Sequence, residues 1–170
     1  MPASFFSKSV ILLLAHSDEG AAGLMINRPT EATVSDLAQS IFQKSFQWDK
    51  PIWLGGPVSG PLVLLHQDPR LADHEVVPGV YSTVEDAKVR QGLRRRVDPS
   101  IIAINYAGWG PGQLERELSE DSWEVLEATD RMVFPQPGTD LWKVALQQVQ
   151  TLKLRSLVEL PEVPDDPTWN

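Results

Sequence analysis

The residues in this chain that could move a proton are few and easily gathered. His16 is followed by Ser17 and Asp18; His66 has Ser59 upstream and Asp68 just beyond; His74 lies in a polar stretch. These are the residue types of a nucleophile, a base and an orienting acid. A triad is defined by geometry, however, and no serine stands in a strand-to-helix nucleophile elbow. Metal binding would want two histidines four apart on a helix or a clustered carboxylate set, and the sequence has neither. His66 closes an apolar run, so a hydrogen-bonded structural histidine is its plainer reading. With no cysteine in the chain, thiol catalysis, thiolate zinc and disulfides are excluded together.

Anion binding is the second chemistry to weigh. In IIAINYAGWGPGQLERE, residues 101 to 117, Gly108, Gly110 and Gly112 separate an apolar strand from a polar helix. Backbone donors and a helix N-terminus can hold a phosphate at such a place. The spacing is not the dinucleotide fingerprint, and the lysine of a phosphate loop is missing. Glu115 and Glu117 would complement the helix dipole by about 0.3–1 kcal/mol each and repel an incoming anion. The loop therefore reads first as a structural turn, then as a partner surface, and last as an anion site. Tyr106, Trp109 and Gln113 are the side chains it would present. The second glycine-rich break, Gly55 to Gly60, also lacks a lysine and reads as a close approach of two backbones.

Asn27-Arg28-Pro29 places an amide beside a guanidinium at a strand end. Arg28 is the best lone candidate for a carboxylate or phosphate, against an ion pair closing a hairpin. Arg94, Arg95 and Arg96 with Lys88 and Arg90 form the one basic cluster. It falls in the last turns of a helix, where cations suit the dipole, with Arg96 toward the apolar side.

The elements that must position these residues follow from periodicity. Lys8 to Ala15 is a continuous apolar run, the pattern of a strand buried on both faces. A turn at 16–20 and a strand from Ala21 to Ile26 complete a hairpin, which Pro29 stops. A helix follows from Ser35 to Phe46, entered through a Thr33/Asp36 capping box. Strands are expected at Pro51–Leu54 and Leu62–Leu65, then a loop over 67–79. A helix from Thr83 to Val97 is capped by Ser82 with Glu85, and its Val89, Leu93 and Val97 face the core. Trp123–Leu126 and Arg131–Phe134 read as strands. Thr139 to Lys153 reads as a helix, with Leu141, Ala145, Val149 and Leu152 on one face. Residues 160–170 form a tail rich in proline and acids that reads as extended or disordered.

A chain of 170 residues makes one domain, here 1–159, and at that size folding buries about 70% of the unfolded surface. Its net charge of −8 works against direct nucleic-acid binding. No apolar run reaches membrane-span length, and the N-terminus lacks a signal-peptide pattern. The expectation is a cytoplasmic protein with no membrane association.

Four segments in order resemble the YqgE/AlgH family: EGAAGLMINRP (19–29), WLGGPV (53–58), Leu65-His66 and NYAGWGPGQLE (105–115). Trp123 and the Leu141-Trp142…Ala145-Leu146 helix agree as well. Asn105 stands where glycine is common in the family. The resemblance implies an α+β fold, its mixed sheet bent into a pseudo-barrel and flanked by three to four helices. It carries no catalytic residue and no cofactor across, and it includes a protein described as a transcriptional regulator of alginate synthesis. The expected function is therefore non-enzymatic: a regulatory or interaction module acting through a protein partner. The alternative is a small-molecule binder or enzyme whose pocket gathers Arg28, His66, Tyr106 and Trp109. Asn27, Arg28, His66, Tyr106, Trp109 and Gln113 together make the candidate surface.

Overall fold

The structure, a computed structural model, describes residues 5–42 and 47–158. In chain order these form β1 (Ile11–Ser17), β2 (Gly20–Met25), β3 (Pro29–Thr33), α1 (Val34–Phe42), β4 (Pro51–Leu54), β5 (Val63–His66), β6 (His74–Val77) and β7 (Val80–Thr83). There follow α2 (Asp86–Arg95), β8 (Ser100–Ile104), β9 (Ala107–Trp109), α3 (Gln113–Ser119), α4 (Asp130–Val133) and α5 (Leu141–Val158).

The strands make two sheets. One has three antiparallel strands in the order β1-β2-β9; the other has six, in the order β3-β4-β8-β5-β7-β6. The larger sheet is mixed because β4 runs parallel to β8 while its other neighbours pair antiparallel. The α+β class with a mixed sheet thus holds. Among the described residues the strands divide into two sheets with five helices about them, and no barrel closes.

Alternation along β5 and β8 divides the core, since successive side chains leave a strand on opposite faces. Leu65, Ile101 and Ala103 face Leu12, Leu24 and Ile26 of the smaller sheet, together with Val133 and Leu141. Leu64 and Ile102 face the other way, onto Val34 of α1 and Val89 and Leu93 of α2. A third cluster, Ala21, Ala107, Trp109 and Leu114, lies under α3.

Several expectations change. The Lys8–Ala15 run is not buried on both faces: β1 is an edge strand, with Leu13 exposed and a register shift between Leu13 and Ala15. The hairpin itself forms as expected. Residues 67–79 are not all loop, since they contain β6. Ser82 does not cap α2, because Val80–Thr83 is a strand paired on both sides, to β5 and β6. The helix starts later, behind an N-cap Glu85 whose side chain makes no capping bond, and Asp73 Oδ2 holds the approach to it by accepting from the N–H groups of Val84 (2.8 Å) and Glu85 (3.0 Å). Burial pushes the Asp73 carboxyl up, but the Lys88 ammonium and those two N–H donors outweigh it and hold it at about 2.

Val89 and Leu93 are buried as read, while Val97 lies beyond the helix and is only half-buried. Arg96 does not point to the apolar side: it is exposed, ends α2 in left-handed geometry (φ 52°) and donates to the Gln47 carbonyl at 2.6 Å. Trp123–Leu126 has no regular structure, and Arg131–Phe134 falls largely on the single turn α4, entered through a Thr129 cap. On α5, Leu141 and Val149 are buried but Leu152 is exposed. The expected tail and the last residues of the first helix, 43–46, lie outside the described residues.

Candidate functional site

The 101–117 segment is a crossing between the two sheets. β8 ends at Ile104, Asn105 takes left-handed geometry (φ 62°), and two residues later the chain is pairing with β2 in the smaller sheet. Left-handed backbone is least strained at glycine and tolerated by asparagine. Tyr106 and Val58 exchange both backbone bonds at 3.0 Å. Gly55 and Gly56 press on this crossing. A Cβ at Gly56 would lie 2.0 Å from the Tyr106 carbonyl carbon, and one at Gly55 would lie 2.4 Å from the Asn105 oxygen. The second glycine-rich break is thus a close approach of two backbones.

After the crossing, polar bonds close the loop on itself. Gln113 Oε1 accepts from the Gly110 N–H (3.1 Å), and Gln113 Nε2 donates to Glu117 Oε1 (2.8 Å). Glu117 Oε2 accepts from two indoles, Trp109 Nε1 at 2.9 Å and Trp123 Nε1 at 2.7 Å. The indole rings meet edge to face, 5.9 Å apart, and Phe6 stacks edgewise on Trp123. Burial alone would raise the Glu117 carboxyl, but its three donors together leave it below its ordinary value. Trp109 is only 7% exposed and Gln113 is half-buried, so the turn encloses these side chains rather than presenting them. Glu115 is held by His16 of the hairpin, which lowers its pKa. Glu115 stands in the first turn of α3, where its charge opposes an incoming anion.

His66 is fully buried. Its Nδ1 accepts from the Asp68 N–H at 3.1 Å, so Nε2 carries the proton and donates to Thr83 Oγ1 at 2.8 Å. The Thr83 hydroxyl passes its own proton to the Leu71 carbonyl at 2.6 Å. Burial lowers the imidazole pKa and keeps the ring neutral. Both ring nitrogens are spoken for, as a structural histidine requires.

Asn27 clamps the segment before β1, accepting from the Val10 N–H (2.9 Å) and donating to the Lys8 carbonyl (2.8 Å). Arg28 closes the same region by donating to the Ser7 carbonyl, so its partner is backbone rather than an acid. Tyr106 and Trp109 share a shallow hollow of about 450 Å³ with Glu19 and Val58. Asn27 lines a separate groove of about 790 Å³ with Trp53, Arg131 and Phe134. Arg28 and His66 line neither. The four residues of the expected pocket do not converge.

The basic cluster is largely engaged. Lys88 donates to Asp73 (2.7 Å), Arg90 to Asp86 (2.6 Å), and Arg95 lies 3.8 Å from Asp68. Among the described residues no group of histidines and carboxylates could hold a metal ion, and no helix is long and apolar enough to cross a membrane. Sequence reading missed Thr83 and Asp73, because each acts on a residue distant in the chain, and the acceptor role of Glu117, whose partners Trp109, Gln113 and Trp123 lie near in sequence but meet only once the turn folds. It also missed Ser100, opposite His66 in the sheet, whose buried hydroxyl has no partner.

The comparisons with known proteins agree with this architecture. A UPF0301 protein of Vibrio atlanticus is 36% identical over 156 residues, 85% of this chain and 83% of the relative. The solution structure of the AlgH protein from Pseudomonas aeruginosa superposes with a TM-score of 0.74 at 25% identity, over 94% of this chain and 88% of that one. The crystal structure of protein DIP2367 from Corynebacterium diphtheriae shares the fold, with a TM-score of 0.65 at 18% identity over 82% and 76% of the two chains. With the AlgH-like family model matching residues 1–153, the chain belongs to the AlgH-like family.

Proposed function

We propose that this protein is a non-enzymatic interaction module that acts through a protein partner, its transcriptional sense resting on the family resemblance alone. One contrast carries the reading. The groups best suited to chemistry, His66, Glu117, Asn27 and Arg28, are engaged in bonds that hold the fold together. Meanwhile large apolar side chains face solvent, and Val125, Leu146, Leu152 and Leu154 lie on α5 or next to the residue it binds. Exposed apolar surface that gathers in one region marks a place of association. The chain's charge of −8 favours a protein over direct contact with DNA.

Crosslinking in the source cell tests this. A discrete heteromeric species containing the chain is expected; recovery of the uncrosslinked chain alone would overturn the reading. Duplex DNA titrated at rising salt tests the indirect route. Nanomolar binding that weakens steeply with salt would replace it with direct binding.

A further inference from the structure

The feature that the fold leaves unexplained is α5. Its 18 residues span about 27 Å, and apolar residues fall on every side of it rather than along one stripe. Among its described side chains only Leu141 and Val149 are buried, and every residue from Gln150 to Ser156 is exposed. Leu146, Gln150 and Leu154 succeed one another at steps of four and so stand on one side, away from Leu141 and Val149. Leu154 is 63% exposed. Lys143 and Lys153 fall on that same side. Lys153 also reaches Glu124, which brings Val125, 72% exposed, to this end of the helix.

Charge identifies what would cover this face. α5 carries Lys143, Lys153 and Arg155 and no acid, within a chain of net charge −8. Its lysines are held by the exposed acids Asp140 and Glu124, and such surface pairs exchange partners at little cost. We propose that the outer face of α5 docks an acidic, apolar helix of the partner protein, leucine against leucine, with carboxylates meeting Lys143 and Lys153. This rests on the interaction reading above and names the partner's chemistry. A second copy laid along α5 would set two cationic helices side by side, a like-charge arrangement. An anionic lipid surface would meet a chain of net charge −8.

The probe is a fluorescein-labelled 18-residue synthetic helix with leucine on one face and glutamate on its flanks, titrated against the full chain by anisotropy. Matched peptides carry lysine for glutamate, or serine for leucine. The Leu/Glu peptide is expected to bind, and both controls to bind about tenfold more weakly or worse. Leu146→Gln with Leu154→Gln should cost the Leu/Glu peptide a similar factor. Lys143→Glu with Lys153→Glu should turn the preference toward the Leu/Lys peptide. All four positions are exposed, so unchanged thermal melting would show that the variants fold.

Absent binding, or binding indifferent to these substitutions, would overturn the proposal. So would a dimer in the ultracentrifuge that dissociates in the leucine variant, which would assign the face to a second copy. Adsorption to phosphatidylglycerol vesicles lost in the same variant would assign it to lipid. Peptide binding that strengthens about tenfold when Glu162, Asp165 and Asp166 are replaced by serine would assign it to the chain's own C-terminal segment. In cells, a heteromeric crosslink that persists in the leucine variant would remove the docking face and leave the interaction reading standing. Loss of every crosslink in the unaltered protein would remove that reading itself.

Discussion

Two polar networks tie this fold together, and they solve the same problem differently. At His66 the chain seals a neutral ring away from water and relays one proton direction from the Asp68 N–H through Thr83 to the Leu71 carbonyl. At Glu117 it keeps a charge, half-buried, and surrounds it with two indoles and an amide. The neutral relay needs every member, because an orphaned donor or acceptor there has no water to turn to. The charged cluster has redundancy: three donors share two oxygens near solvent. Side chains that look reactive in a sequence can thus be the ones with the least freedom to react.

The largest loss is expected from Thr83→Val, which keeps the shape but strands both His66 Nε2–H and the Leu71 carbonyl. Chemical denaturation should show about 3 kcal/mol lost, since each buried orphan costs about 1–3 kcal/mol. Glu117→Gln retains an acceptor for the indoles and should lose about 1.5 kcal/mol in the same assay, the difference between a charged and a neutral bond. A larger loss for Glu117→Gln than for Thr83→Val would invert the ranking.

Acid separates the two networks next. Burial lowers the His66 pKa below 6.5, so the unfolded chain takes up the proton first. The relay therefore contributes fully at neutral pH, and stability declines as pH falls below about 6.5. Glu117 is lowered from 4.5; its contribution stands above that value and is lost as pH falls through the folded pKa. Denaturation midpoints followed from pH 7.5 to 3.5 should show two declines, and His66→Gln should remove only the upper one. The smallest effect belongs to the exposed contact of His16 with Glu115. His16→Ala should leave the midpoint unchanged within error at physiological salt, where such pairs contribute little.

What the sequence disclosed and what it hid follow one physical line. Thr33 and Asp36 looked like a capping box, and they are one: the Thr33 N–H donates to Asp36 Oδ2 at 2.8 Å and the Asp36 N–H to Thr33 Oγ1 at 3.3 Å. Ser82 and Glu85 have the same spacing, yet Ser82 is claimed by strands on both sides and α2 begins with no side-chain cap. Local pattern was enough at Thr33, which ends an edge strand paired on one side only, to β4. His66 was readable as a buried histidine because it ends an apolar run, but Thr83, 17 residues on, was not. Trp109 looked like a displayed aromatic in a glycine loop. Trp123 and Phe6, remote in sequence, make it part of a core. β1 misled in the opposite sense: its composition suits a central strand, while its place at an edge depends on sheet order, which no single run of residues encodes.

The crossing at Asn105 and Tyr106 has a consequence for how the molecule comes apart. β8 continues into β9 across two residues, the Met25 N–H donates to the Gly55 carbonyl, and the Gly55 N–H donates to Ile104. The smaller sheet is stitched to the larger by continuous chain on one side and by backbone bonds on the other. Opening either sheet alone would break these bonds to the other. Amide protons of both should exchange with solvent at the rate of one shared event, so the protein melts as a single cooperative unit despite having two sheets.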